Sequence, residues 1–249
     1  VQLVLLTAAL LLSVTLTPGY ALCKVLDASA DKLRKGVLAP ALGLLLAYGL
    51  AGLLLLSGLW SLQLMSALLL LLNVAAIAHL RRRSDLGKTL SSWQKLERAM
   101  HGEVYGTPEE SISDEVAAQR WLQNQRKPWM LAIAAGTVLS CLTLPMLQDI
   151  PFGVDWIGFS TLTNQIAIAG NLSLPGTNNG LWTYPPAYPS LAAWIQEVLN
   201  ISPSKAVFEL GHYSLFALVL GIGGAMDRHG AGAHGVLAMG LGAGLFAKT

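Results

Sequence analysis

Asp155 is the residue whose surroundings best suit chemistry. It lies in residues 148–205, a stretch that follows an apolar run and has three acids, many aromatic residues and one basic residue, Lys205. A carboxylate can take a proton from a weak nucleophile as general base, and a partly desolvated position beside Trp156 suits that role. The alternative is that Asp155 only caps the helix after it, although Gly158 does not complete a capping box.

Other candidates surround this carboxylate and extend into the next apolar run. Trp182 and Tyr184 could stack on a sugar or lie against a prenyl chain, or could form an interfacial aromatic belt. Glu209 and His212 lie three residues apart on one helix face. Ionisable groups within a membrane are functional candidates, with solvated flanks of the helix as the alternative. The histidines lack metal-ligand spacing, so a metal or other cofactor stays unknown, with a divalent cation possible.

The elements that must position these residues are membrane helices. Only 12% of the 249 residues are charged, against about 25% in soluble domains. Apolar runs in lipid must be helical, because lipid offers no partner for backbone groups. The sequence therefore predicts an all-α, polytopic transmembrane bundle. Its predicted spans are Val1–Leu22, Val37–Leu56, Leu62–Leu80, Trp129–Leu147 and Ala206–Met226, with a further run beginning at Gly235.

The basic residues predict the orientation of the bundle. All but two of the 16 basic residues lie in alternate loops, the exceptions being Lys205 and Lys248. Because such loops stay in the cytoplasm, the N-terminus and the loop 148–205 are expected outside the cell membrane. Residues 1–80 then form three spans, 81–128 a polar cytoplasmic linker, and 129–249 the start of a second module. The short last run predicts a fragment truncated at its C-terminus.

The large outer loop has its own helical pattern. Trp156–Ala169 reads as an amphipathic helix in which Ser160, Thr163 and Asn164 interleave with apolar residues. A turn-rich link follows, and Ser190–Leu199 has helical character. We expect two short helices that lie parallel to the membrane surface.

This arrangement resembles the GT-C glycosyltransferases, which take a sugar from a polyprenyl-phosphate or polyprenyl-diphosphate carrier. Asp155 matches the essential acid of their first outer loop, and Trp156-Ile157-Gly158-Phe159 matches the aromatic start of the helix after it. Tyr184-Pro185-Pro186-Ala187-Tyr188-Pro189 matches the Tyr-Pro-rich entry to the second helix. Many members have two adjacent acids where this chain has Asp155-Trp156, so the acceptor and any need for a metal stay open.

The resemblance implies a membrane glycosyltransferase acting on the outer face, with Asp155 as catalytic carboxylate. Its expected partners are membrane lipid, a polyprenyl-phosphate-linked sugar donor, and a glycan, lipid or protein acceptor. The expected substrate-binding residues are Trp156, Asn164, Trp182, Tyr184, Tyr188 and His212. A transporter or flippase and a non-catalytic scaffold are the alternatives. Neither a phosphate-binding glycine loop nor a basic-aromatic surface is present in the sequence, so nucleotide sugars and nucleic acid are not indicated.

Overall fold

The computed structural model of the protein describes residues 2–26, 32–100, 155–171 and 185–226, and at residues 33, 83–100, 155 and 226 it describes the backbone alone. These parts of the chain form six α-helices and no strand, which confirms the predicted all-α class for the described residues. The helices are α1 Gln2–Leu26, α2 Lys32–Leu56, α3 Leu62–Met100, α4 Asp155–Ala169, α5 Ala187–Leu199 and α6 Pro203–Met226.

Four of these helices are long and apolar enough to cross a membrane. The candidate spans are Gln2–Leu26, Arg34–Leu56, Leu62–Arg82 and Pro203–Ala225. They agree with four of the predicted spans to within a few residues. The other two predictions, Trp129–Leu147 and the run from Gly235, lie outside the described residues. The described residues therefore form a helical bundle with four candidate membrane spans.

Small residues bring α1 and α2 into close contact. A Cβ at Gly19 would collide with the carbonyl oxygen of Ala39, and a Cβ at Gly43 would collide with the backbone of Thr15. Thr15 thus lies opposite Gly43 while Gly19 lies opposite Ala39, so the two helices run antiparallel. Without bulky side chains between them, the backbones approach closely and gain dispersion contact, as is common in membrane bundles.

Helix α6 packs antiparallel to α2 and parallel to α1. A Cβ at Gly221 would lie 2.8 Å from Cβ of Ala41. The hydroxyls of Tyr48 in α2 and Ser214 in α6 form a hydrogen bond, with 2.7 Å between the oxygens. The hydroxyl of Tyr213 likewise forms a hydrogen bond with that of Thr15 in α1, with 2.5 Å between the oxygens. Each hydroxyl in such a pair gains a hydrogen-bond partner, which lipid could not provide.

Helix α3 continues past the predicted end of its span at Leu80 and reaches Met100 without a break. The first part of the segment expected to be a polar linker, residues 81–100, is therefore helical and continuous with a membrane span. The rest of that segment, residues 101–128, lies outside the described residues.

Helices α4 and α5 lie at the end of the bundle where α2 ends and where α3 and α6 begin. Gly170, just after α4, is close to the carbonyl of Trp60 in the α2–α3 connection. The indole of Trp194 in α5 donates a 2.9 Å hydrogen bond to the hydroxyl of Ser66 in the second turn of α3. Arg34 lies near the start of α2, and Arg81 lies near the end of the candidate span Leu62–Arg82 of α3. Both are at the end of the bundle away from α4 and α5, so most of the described basic residues are far from these two helices.

Candidate functional site

A cavity of about 330 Å³, open on one side, lies between α4, α5 and α6 in the described part of the chain. Its volume is at the lower end of the range typical for small-molecule sites. The surface of the cavity is almost wholly apolar, and four of its side chains are aromatic. The lining residues are Trp156, Phe159, Tyr188, Val207, Phe208, Gly211, His212 and Leu215. We call this space the aromatic cavity.

Helical spacing explains why these side chains converge. On α4, Trp156 and Phe159 are three residues apart in the first turns. On α6, Phe208 and His212 are four residues apart and Leu215 follows three later, so all three face the same side of the helix. Tyr188 enters from the first turn of α5. The cavity therefore depends on the packing of three helices.

Edge-on and stacked contacts order the aromatic walls. The ring centroids of Phe159 and Tyr188 are 5.2 Å apart with an interplanar angle of 61°. Tyr188 also stacks on Tyr48 of α2, with centroids 6.1 Å apart. Such pairs prefer these geometries because the edge of one ring is positive and the face of the other is negative. Tyr188 is thereby held from two sides.

The hydroxyl of Tyr188 is neutral and already engaged. It donates a hydrogen bond to the carbonyl of Val207, with 2.6 Å between the oxygens. Burial, and then the neighbouring phenol of Tyr48, raise the pKa of Tyr188 far above its usual value. The phenol is therefore a donor at any physiological pH, and a ligand in the cavity cannot use this donor unless the bond to Val207 breaks.

Among the residues of α6 that line the cavity, His212 has the polar side chain. Its side chain is only 6% exposed, and its ring meets Phe208 edge-on with centroids 4.2 Å apart. The carbonyl of Phe208 is near the imidazole, but the geometry leaves Nδ1 without a hydrogen-bond partner among the described residues. A buried polar atom without a partner costs free energy. Because Nδ1 itself has almost no accessible surface, it does not face the aromatic cavity.

Three of the residues expected to bind substrate meet in the aromatic cavity: Trp156, Tyr188 and His212. Asn164 does not join them, because its side chain is exposed on another face of α4. Trp182 and Tyr184 lie outside the described residues. The roles of Trp156, Tyr188 and His212 in substrate binding stay predictions.

Asp155 is the first residue of α4. It directly precedes Trp156, so its backbone is one residue away from the wall of the aromatic cavity. Its side chain lies outside the described atoms, and both alternatives for it, general base and helix cap, stay predictions.

The buried face of α4 differs from the expected amphipathic pattern. Ser160 and Thr163 were expected among the polar positions, yet both are buried, and their hydroxyls have no hydrogen-bond partner among the described residues. Ile157 and Ile168 are instead more than half exposed. Helix α4 packs against α5 and α6, and short side chains in a buried face allow helices to approach closely.

Glu209 and His212 are both buried, at 7% and 6% exposure. A flank solvated at the end of the helix would be exposed, so burial favours the interpretation that these ionisable residues have a function. Phe208 was not among the expected site residues. Its spacing of four from His212 on one apolar helix is the signal that would have identified it.

Metal ligands are not clustered in the described part of the chain. No group of three or more His, Cys, Asp or Glu side chains there could hold a metal ion. The possible divalent cation of the expected reaction therefore stays untested.

Comparison with protein-family models, curated proteins and solved structures gave no match to this chain. Any assignment of function therefore has to be argued from the residues and their packing.

Proposed function

We propose that the protein is an integral membrane glycosyltransferase that moves a sugar from a polyprenyl-phosphate-linked donor to an acceptor on the outer membrane face. The observation that carries the proposal is the aromatic cavity, which lies beside the start of α4, at the same end of the bundle as the beginning of the α6 span. An amphiphilic donor needs an apolar cavity near the membrane with a reactive group at its edge.

Asp155 is the proposed general base. In the reaction, the acceptor oxygen or nitrogen forms a bond to the anomeric carbon, while the bond from that carbon to the carrier phosphate breaks. The electron pair leaves with the phosphate, and the acceptor proton goes to the Asp155 carboxylate. Because the leaving phosphate is already stable as an anion, the step needs hydrogen-bond donors near it more than an acid.

The position of Asp155 in the chain supports this role. It opens α4 directly before Trp156, so a molecule that contacts Trp156 in the cavity is close to the backbone that carries the carboxylate. We further propose that α4 and α5 lie along the outer membrane surface, where donor and acceptor can both reach them.

Sugar transfer by the native protein and by Asp155→Asn, in membranes or nanodiscs, tests the proposal. We expect the variant to lose about 10²- to 10⁴-fold in rate at equal abundance, since asparagine cannot accept the proton. Glu197→Gln is the matched control, because Glu197 is an exposed carboxylate of α5 outside the cavity. Equal rates for Asp155→Asn and the native protein would reject the catalytic role.

Transport of a polar or lipid-linked substrate is the second candidate, and the burial of Glu209 within a candidate span favours it. Intramembrane carboxylates often line substrate or proton pathways. In a vesicle assay for flipping of the lipid-linked donor, Glu209→Gln would stop transport while Asp155→Asn would not. In the sugar-transfer assay, loss of activity in Asp155→Asn with normal activity in Glu209→Gln would favour the enzyme.

A further inference from the structure

Helix α5 is enclosed by other helices on every side. Seven consecutive residues, 189–195, are buried, although their side chains point in all directions around the helix. A helix with one free face would bury only the side that meets its neighbours, whereas a helix that is apolar all round belongs inside. Helices α2, α3, α4 and α6 all contact α5. Its position is therefore set by four neighbours at once.

Three contacts define the level at which α5 crosses the spans. Gly52 of α2, Val207 of α6 and Ser66 of α3 all contact α5. Each of them lies four residues inside the end of its candidate span that is nearest α5, the ends being Leu56, Pro203 and Leu62. Four residues are about one turn, or about 6 Å along the axis. Because the three positions lie at the same level, α5 runs across the bundle, from α2 and α6 at its first turn to α3.

Hydrogen bonds fix α5 at both ends of this crossing. In the first turn, the Tyr188 phenol donates to the carbonyl of Val207. Six residues later, the indole of Trp194 donates to the hydroxyl of Ser66, with 2.9 Å between nitrogen and oxygen. Trp194 is only 3% exposed, so its N–H could not exchange this partner for water. A buried donor is costly to leave unpaired, and the bond therefore resists movement of α5 away from α3.

Resting on the proposed function, we propose that Trp194 is a positioning residue, whose hydrogen bond to Ser66 holds Tyr188 and the first turn of α4 in register across the aromatic cavity. Movement of α5 would carry Tyr188 with it, and the ring contact between Tyr188 and Phe159 would pass that movement to α4, which begins at Asp155. A misplacement of about 1 Å far from the chemistry can cost about a hundredfold in rate.

Hydrogen exchange of the full chain in nanodiscs tests the hold on α5 without requiring a sugar. Trp194→Phe keeps an aromatic ring but removes the N–H. We expect the backbone amides of α5 and of the first two turns of α4 to exchange about tenfold faster than in the native protein.

Trp60→Phe is the matched control for this exchange measurement. Trp60 is similarly buried, at 6% exposure, but its indole nitrogen has no hydrogen-bond partner among the described residues. The control loses the same ring volume and should leave exchange in α5 unchanged. Faster exchange of α5 in both variants, or in neither, would overturn the role of the Trp194 hydrogen bond.

Steady-state sugar transfer separates positioning from a purely structural role. At equal folded protein, Trp194→Phe should lower kcat by about 3- to 10-fold and leave KM within about twofold, because alignment of reacting groups acts in the transition state. Ser66→Ala should give the same loss, and the double variant should lose no more than either single one, since both remove one bond. Ser66→Thr keeps the acceptor hydroxyl and should retain the native kcat.

The two measurements together distinguish failure of this inference from failure of the proposed function. Native kcat in a Trp194→Phe protein whose α5 exchanges faster would reject the positioning role. Faster exchange in Trp194→Phe without any sugar transfer by the native protein would reject the proposed function, and the positioning role with it, while the hydrogen bond that holds α5 would stand.

Discussion

Tyr188 on α5 and Val207 on α6 are joined by a hydrogen bond of 2.6 Å from the phenol to the backbone carbonyl. Gly211, one turn after Val207, makes this approach possible, since a Cβ there would lie 3.3 Å from the phenol oxygen. Tyr188 is therefore both a wall of the aromatic cavity and a link between two of the helices that form it.

Tyr188→Phe should weaken that link while leaving the aromatic wall in place. The carbonyl of Val207 loses a partner but keeps its place in α6, so we expect a loss of about 1 kcal/mol in the free energy of unfolding. Reversible unfolding in mixed micelles measures the change. Tyr20→Phe is the control, because no hydrogen bond from that hydroxyl joins it to the described residues. A loss equal to the control's would show that the hydrogen bond adds no net stability.

Gly43→Ala should destabilise the protein because the new methyl group meets the backbone of Thr15 on α1. Overpacking of this kind typically costs about 1–3 kcal/mol. Gly49→Ala, two turns further along α2, is the matched control, since nothing lies within 4 Å of a Cβ there. Replacing a helical glycine by alanine without a clash stabilises by about 0.5–1 kcal/mol, so the two variants should shift stability in opposite directions. The same sign for both would contradict the close α1–α2 contact.

Thr15 and Tyr213 should be energetically coupled through their hydroxyls, which are 2.5 Å apart between α1 and α6. A double-mutant cycle with Thr15→Val and Tyr213→Phe isolates this term. Hydrogen bonds between membrane helices average about 0.6 kcal/mol in such cycles, and we expect a coupling energy of that size. Unfolding free energies of the four proteins give the value, and strict additivity would mean that the contact carries no coupling.

Cysteine accessibility can test the predicted orientation. Ser57 in the α2–α3 connection and Lys32 at the start of α2 are both exposed and lie at opposite ends of α2. In a background with Cys23 and Cys141 replaced, a membrane-impermeant thiol reagent should label Ser57→Cys in intact cells. Lys32→Cys should react only after permeabilisation, because the basic segments are expected inside. The reverse labelling pattern would place α4 and α5 on the cytoplasmic side.

The sequence was sufficient to predict the four candidate spans among the described residues, because hydrocarbon thickness and backbone hydrogen bonding leave few alternatives. The α2 span ends at Leu56 and the α3 span begins at Leu62 as expected. The continuation of α3 to Met100 could not be predicted in the same way. Hydropathy marks where a span leaves the lipid, whereas a helix can continue into water for as long as its residues favour it.

The candidate site was predictable only in part. Trp156, Tyr188 and His212 stood out by residue type, yet their convergence depends on how α4 and α5 pack against α6. The same packing turns Ser160 and Thr163 inward. Periodicity identifies which residues share a face of one helix, but it does not determine which neighbouring helix that face will meet.

The aromatic cavity also links ligand occupancy to the stability of the end of the bundle where α4 and α5 lie. A ligand that fills it touches α4, α5 and α6 together, and it binds only when the three are assembled. By mass action, a ligand at a hundred times its dissociation constant raises the free energy of unfolding by about 2.7 kcal/mol. The melting temperature is therefore a direct reporter for this cavity, and a panel of lipids can be ranked by it before any sugar or acceptor is identified.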